Sequence, residues 1–299
     1  MKRGVHAILY AFFDEHERLN RASMRKQVEL CIEAGVAGIA ALGLATEVVK
    51  LSFDERRTLM DWVSQDNRAR LPLGFTIFGQ SVAEQTALVR HAERAGADWL
   101  ILQPPQAGNY DGGEYISFFS RVMSATALPV AIQNAPQYLG RGLAVDDIQR
   151  LRDRHANFTL IKSESSAAEA ADLIRIAGPD FKVFNGRGGM ELLECLDAGC
   201  EGFLLAPDIA DLCAGVMRLA EAGRRAEANE AQASLLPAIA FVMQSIEHLI
   251  CYGKRLFALR AGLEVRDRAP ALRPSKEKLD RLGQLQAQMG KFPQSMKSK

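Results

Sequence analysis

Eight short runs rich in Val, Ile, Leu and Phe alternate with amphipathic stretches over the first two-thirds of the chain, an alternation that predicts a (β/α)8 barrel. A junction recurs in support: Ala34-Gly35-Val36-Ala37-Gly38, Ala95-Gly96-Ala97-Asp98-Trp99 and Ala198-Gly199-Cys200-Glu201-Gly202 each end a helical pattern on glycine and enter an apolar run within a few residues. Glycine at a helix C′ position followed by a tight loop explains the repetition. No G-x-G-x-x-G follows the first run, which argues against an open dinucleotide-binding sheet.

In order, the predicted strands cover residues 6–12, 38–43, 72–78, 99–104, 129–134, 158–163, 182–186 and 202–207. Their apolar character is continuous rather than alternating, as a parallel sheet covered on both faces requires. Helical patterns lie between them, among others over 23–34, 53–64, 82–95, 145–154 and 167–177. After Asp208 the pattern is helical through Leu263, then loop, then helix again around 276–288. Leu236, Ile239, Val242, Ile246, Leu249, Ile250 and Leu256 form a broad apolar face. Residues 1–222 therefore read as the barrel and 223–299 as a C-terminal helical extension packed against it, with a frayed tail over 291–299.

Of 299 residues, 37 are Lys or Arg and 36 Asp or Glu, so no net field attracts nucleic acid or an anionic membrane. Cys31, Cys195, Cys200, Cys213 and Cys251 are odd in number and lack a C-x-x-C, which argues against a disulfide framework or structural zinc and for a reducing compartment. Cys195 and Cys200 read as core residues. The apolar start runs into Asp14-Glu15-His16-Glu17-Arg18 without a small-residue cleavage site, so it reads as a first strand rather than a signal peptide. No apolar run reaches bilayer length, and the expected location is the cytoplasm.

In a barrel of this kind chemistry sits at the C-terminal ends of the strands. Lys162 ends the apolar run Phe158-Thr159-Leu160-Ile161. A lysine there can point into the mouth with its stem among apolar groups, where desolvation disfavours the ammonium and supplies a neutral amine that attacks a ketone. The iminium so formed is an electron sink. The alternative is a lysine snorkelling to water. Asn185-Gly186-Arg187-Gly188-Gly189 has a phosphate-loop look but lacks the lysine; it reads as a βα turn whose Arg187 is a candidate for an anionic group.

Further strand-end segments carry a resemblance. Gly38-Ile39-Ala40-Ala41-Leu42-Gly43-Leu44-Ala45-Thr46-Glu47, followed by Leu51-Ser52-Phe53-Asp54-Glu55-Arg56, resembles the G-T-T-G-E segment and next helix of the dihydrodipicolinate synthase / N-acetylneuraminate lyase family. Ala131-Ile132-Gln133-Asn134-Ala135-Pro136 is similar to its Tyr-Asn-x-Pro strand end, Leu160-Ile161-Lys162 to its Schiff-base strand, and Gly199-Cys200-Glu201-Gly202 to the start of its eighth strand. These occur in the family's order over about residues 4–220. The resemblance implies a lysine–keto-acid imine, no metal or organic cofactor, a small 2-keto acid as the only partner, and a homo-oligomer, tetramer or dimer.

The departures matter more. The family's proton relay is a threonine and two tyrosines; here Leu44, Gln106 (or Ala107) and Gln133 stand at those positions, and Tyr138 stands where the synthase has a carboxylate-binding arginine. None of the three relay replacements shuttles a proton as a hydroxyl does, and lysine biosynthesis is disfavoured. Gln133 together with Lys162-Ser163-Glu164 is similar to a subgroup that includes L-2-keto-3-deoxyarabonate dehydratase. By that comparison Gln133 hydrogen-bonds substrate or an ordered water. Glu164, two residues past Lys162 and on the same side of an extended chain, is the general acid/base. A plain exposed loop carboxylate is its alternative.

Amides of Leu44, Ala45 and Thr46 are candidates for the keto-acid carboxylate, against a plain βα turn. Glu47 is a candidate for ordering that loop, against a simple helix-start charge. Asn134 and Pro136 are expected to shape their loop; Tyr110, like Tyr138, is a candidate for the pocket mouth. The expected reaction is dehydration of a 2-keto-3-deoxy sugar acid. Aldol cleavage with release of pyruvate, deamination of a pyrroline-4-hydroxy-2-carboxylate type of substrate, and mere keto-acid binding by a relay-dead paralogue remain open beside it.

Overall fold

The computed structural model describes residues 2–108 and 110–292; residues 293–299 of the expected frayed tail lie outside the described residues. Eight parallel strands close in chain order: β1 (Gly4–Ile8), β2 (Gly38–Ala41), β3 (Leu73–Ile77), β4 (Trp99–Leu102), β5 (Val130–Asn134), β6 (Phe158–Ser163), β7 (Lys182–Asn185) and β8 (Gly202–Leu205), which pairs back onto β1. Helices α1 (Arg21–Glu33), α2 (Phe53–Asn67), α3 (Val82–Arg94), α4 (Gly112–Met123), a short α5 (Pro136–Leu139), α6 (Val145–Arg154), α7 (Ala167–Ala177) and α8 (Leu192–Asp197) fall between strands. The fold is the expected (β/α)8 barrel.

The recurrent junction is one motif used three times. Gly35, Gly96 and Gly199 have φ of 72°, 86° and 101°, which favours glycine. In each, the residue after the glycine donates back five positions, Val36 to Cys31, Ala97 to Ala92 and Cys200 to Cys195, as a Schellman cap does.

Two differences from the sequence reading have local causes. β1 stops at Ile8, because Tyr10 turns to the side chain of Gln27, which accepts from its N–H and donates to its carbonyl at 2.9 Å each. That clamp satisfies a fully buried backbone without a neighbouring strand. The sequence reading gave no bounds for helix α4; Asp111 caps it by accepting from the Glu114 N–H, and Tyr115, Ile116, Phe119, Val122 and Met123 form its buried face.

The barrel floor is sealed. His6 packs edge-on against Trp99 and Phe184, with ring centroids 6.0 and 5.5 Å away. A β-carbon on Gly38 or Gly74 would fall within 2.1 Å of the His6 ring or 2.3 Å of Trp99. Burial pushes the His6 imidazole down to about 4, so it packs as a neutral ring. With the N-terminal end filled by these rings, the cavity bordered by Lys162 lies at the other end.

After β8 come α9 (Ala210–Glu221), α10 (Arg225–Val242), α11 (Ile246–His248) running through a π turn into α12 (Lys254–Ala261), and α13 (Lys276–Met289). They are tied to the barrel by buried charge. Lys254 meets Glu47, and Arg260 grips Asp211 with two bonds of 2.8 and 2.6 Å while donating to the Asp208 carbonyl at 2.7 Å. No single helix among the described residues is long and apolar enough to cross a membrane.

Candidate active site

Lys162 is the penultimate residue of β6, and its register partners are Gln133 on β5 and Phe184 on β7. Register partners share a face, and Phe184 lies against His6 in the interior, so Lys162 projects inward. It is only 4% exposed. Its Nζ lies 2.9 Å from Oε1 of Glu164.

Glu164 is buried rather than an exposed loop carboxylate. Its second oxygen accepts the backbone N–H of Arg187 at 2.6 Å, and its carbonyl accepts from the Gln137 side chain. Room for the carboxylate comes from Gly186, where a β-carbon would lie 2.2 Å from it. Each oxygen of Glu164 thus has its own donor.

The cavity over Lys162 has a largely apolar wall, with Ile8 and Leu204 from strands and Val242, Met243, Ile246 and Leu249 from the C-terminal helices. Leu44, Ala45, Tyr138, Glu164, Arg187 and Asp208 also border it. In such surroundings water screens charge poorly, so the Lys162–Glu164 pair interacts strongly. Beside it, past Leu44 and Tyr138, runs a groove where Gln103, Gln106, Gln137 and Gln244 stand among apolar residues such as Val49, Phe78 and Pro105. Burial and then the charge of Glu164 push the Tyr138 phenol above its ordinary value, so it stays protonated at neutral pH.

Other candidates are distributed unevenly. In the Gly43–Glu47 turn the Thr46 and Glu47 amides bond the Gly43 and Leu44 carbonyls, and the buried Thr46 hydroxyl donates to the Leu9 carbonyl. Among the described residues, the Leu44 and Ala45 amides have no acceptor inside the protein. Glu47 turns away into a buried cluster with Lys254 and Lys50. Gln133 stands beside Lys162 in the wall; its Oε1 accepts from Gln103 at 2.7 Å and its Nε2 has no partner. It does not line the cavity. Gln106 lies in the groove, and Arg187 pairs with Glu191 at 2.9 Å at the cavity edge. Tyr110 is about half exposed and borders neither space. Asn134 fixes its loop by bonding both the N–H and carbonyl of Leu143, and Pro136 opens α5. Cys195 and Cys200 are buried.

Backbone strain collects here. Of six non-glycine residues with positive φ among the described residues, Leu42, Glu47 and Arg187 flank this mouth. Such conformations cost about 1 kcal/mol or more each and cluster at functional sites.

One group bordering the cavity escaped the sequence reading. Asp208, three residues past β8, is buried and accepts the Tyr10 hydroxyl at 2.8 Å on Oδ1, while Oδ2 has no partner. Burial pushes its carboxyl up to about 7. Its place at the end of the eighth strand was a legible signal, since the other strand ends were read by that rule; the contact with Tyr10, 198 positions away, was not.

The chain is 29% identical over 238 residues to a 4-hydroxy-tetrahydrodipicolinate synthase of Nitrobacter hamburgensis, covering 79% of each chain. It is 31% identical over 245 residues to a probable mitochondrial 4-hydroxy-2-oxoglutarate aldolase of Emericella nidulans, covering 77% of each. It is 26% identical over 237 residues to an L-2-keto-3-deoxyarabonate dehydratase of Azospirillum brasilense, covering 77% of this chain and 75% of that one. A synthase, an aldolase and a dehydratase share a type of enzyme, lyase or aldolase, rather than a substrate. The model of the Dihydrodipicolinate synthetase family matches residues 1–288, and the chain belongs to that family.

Proposed function

We propose that Lys162 forms an imine with a 2-keto acid and that the protein dehydrates a 2-keto-3-deoxy sugar acid. The observation that carries this reading is the buried Lys162–Glu164 pair, 2.9 Å apart beside the cavity at the C-terminal end of the barrel. The Lys162 amine attacks C2 of the ligand, and loss of water gives the iminium. Glu164 takes a proton from C3, the electrons flow toward the iminium nitrogen as an enamine, and the hydroxyl on C4 departs. Hydrolysis then returns the free amine.

Several features support the substrate class. The unpaired Leu44 and Ala45 amides suit the keto-acid carboxylate, and the glutamine-lined groove suits a hydroxylated tail. Gln133, with a free Nε2 beside Lys162, suits an ordered water. The Azospirillum brasilense dehydratase lends the same direction. Cleavage of C3–C4 from the same imine is the second reading, favoured by the Emericella nidulans aldolase.

A panel of 2-keto acids incubated with borohydride, followed by peptide mass spectrometry, tests the imine; the expected adduct is on Lys162. Product analysis without borohydride separates the reactions: loss of water without pyruvate is expected, pyruvate release selects the aldolase, and ammonia release a deaminase. Binding of pyruvate with no turnover across the panel marks a binding protein, and no adduct anywhere removes the imine altogether.

A further inference from the structure

Among the described residues, Glu164 and Asp208 are the two carboxyl groups that border the Lys162 cavity, and they are held in opposite ways. Glu164 receives a hydrogen bond from a cation on one oxygen and from a backbone amide on the other. Both of its oxygens are therefore already occupied by donors. Asp208 receives the Tyr10 hydroxyl on one oxygen and is touched by its own backbone amide, while Oδ2 meets the hydrogen-bond geometry of no partner although the residue is 1% exposed. An unpaired buried oxygen on a charged carboxylate is costly; on a protonated carboxyl it is an O–H ready to donate.

We propose that Asp208, oriented by Tyr10, donates the proton to the hydroxyl leaving C4 of a 4-hydroxy-2-keto acid bound to Lys162. The proposal rests on the dehydration reading above. As the enamine collapses, the nitrogen lone pair re-forms the iminium, the C2–C3 pair becomes a C3–C4 double bond, and the C4–O bond breaks. The leaving oxygen takes the Asp208 proton and departs as water, leaving Asp208 as a carboxylate to be reprotonated from solvent.

The surroundings agree. Tyr10 approaches from beyond β1; Arg260 of α12 directs its guanidinium at the Asp208 carbonyl and at Asp211, not at the Asp208 carboxyl; Cys213 and Asp211 face it from α9. Burial, the largest influence, outweighs the Tyr10 bond and the pull of Arg260 and lifts the carboxyl to about 7. The group is therefore protonated below neutral pH and about half protonated at it, and Tyr10, itself pushed far up by burial, stays a donor. Burial and Asp208 both hold that phenol neutral.

The test compares two measurements on the intact protein. Exchange of pyruvate methyl protons in D2O, followed by NMR, needs Lys162 and the base but no leaving group. Water loss from 2-keto-3-deoxyarabonate needs the donor as well. Asp208→Asn retains an oxygen for Tyr10; it is expected to leave exchange and borohydride capture near wild type while elimination falls about 10²–10³-fold. In the wild type, elimination declines as pH rises through about 7. Tyr10→Phe removes a bond that holds the Asp208 proton affinity down, so that decline shifts to higher pH while the exchange profile stays put. Elimination near wild type in Asp208→Asn, exchange and elimination falling together, or a decline unmoved by Tyr10→Phe each overturn the donor role. A wild type that exchanges pyruvate protons yet eliminates water from no 4-hydroxy-2-keto acid overturns the dehydration reading, and the donor with it.

Discussion

Lys162 and Lys254 each meet a buried glutamate at the same end of the barrel, yet their surroundings differ. Lys162 bridges Glu164 two positions along its own chain, and its amine borders an open cavity. Lys254 reaches from α12 across 207 positions to Glu47, whose other oxygen is taken by Lys50 at 2.7 Å. Its ammonium also sits 5.4 Å from the Phe13 ring centroid, and the side chain is fully enclosed. Burial draws the Lys254 amine below its ordinary value while Glu47 pulls it back up. Proximity to a carboxylate in a dry place is common to both. What separates them is a free side: one amine can meet a carbonyl, the other is walled in by partners and serves as a strut.

Lys162→Met is expected to abolish borohydride capture of pyruvate, whereas folded Lys254→Met retains it; loss of capture in both variants would erase the distinction drawn here. Stability reverses the ranking. Lys254→Met strands the Glu47 carboxylate beside a single remaining lysine, and breaking a buried pair costs about 3–5 kcal/mol, read as a lowered urea midpoint. Lys162→Met leaves Glu164 its Arg187 amide and a cavity beside it, so its midpoint shifts less; equal shifts would make both pairs struts. A finer probe is Gly186→Ala, whose β-carbon meets the Glu164 carboxylate first and displaces it. We expect kcat to fall roughly 10²-fold with the urea midpoint and pyruvate capture retained; an unchanged kcat would detach Glu164 from the chemistry.

The same contrast explains what was legible. Lys162 and Glu164 sit two apart on one strand, so local geometry alone put them on one side. Glu47, also a strand-end acid, carries no mark that its partner would arrive from α12. The glutamines likewise diverge: Gln133 stands in the wall beside Lys162 and Gln106 lies in the outer groove, a difference of side-chain direction beyond a bulge or a loop that spacing does not encode.

By itself the chain determined its barrel, the three glycine-capped junctions and the place of Lys162 at the barrel mouth, because periodicity, helix caps and strand-end position act over a few residues. Only the tertiary structure decided that Asp208 meets Tyr10, that Glu47 braces Lys254, and that Val242, Met243 and Ile246 roof the cavity. These contacts join elements tens to hundreds of positions apart, and their geometry exists only once the sheet has closed and the C-terminal helices have docked on it.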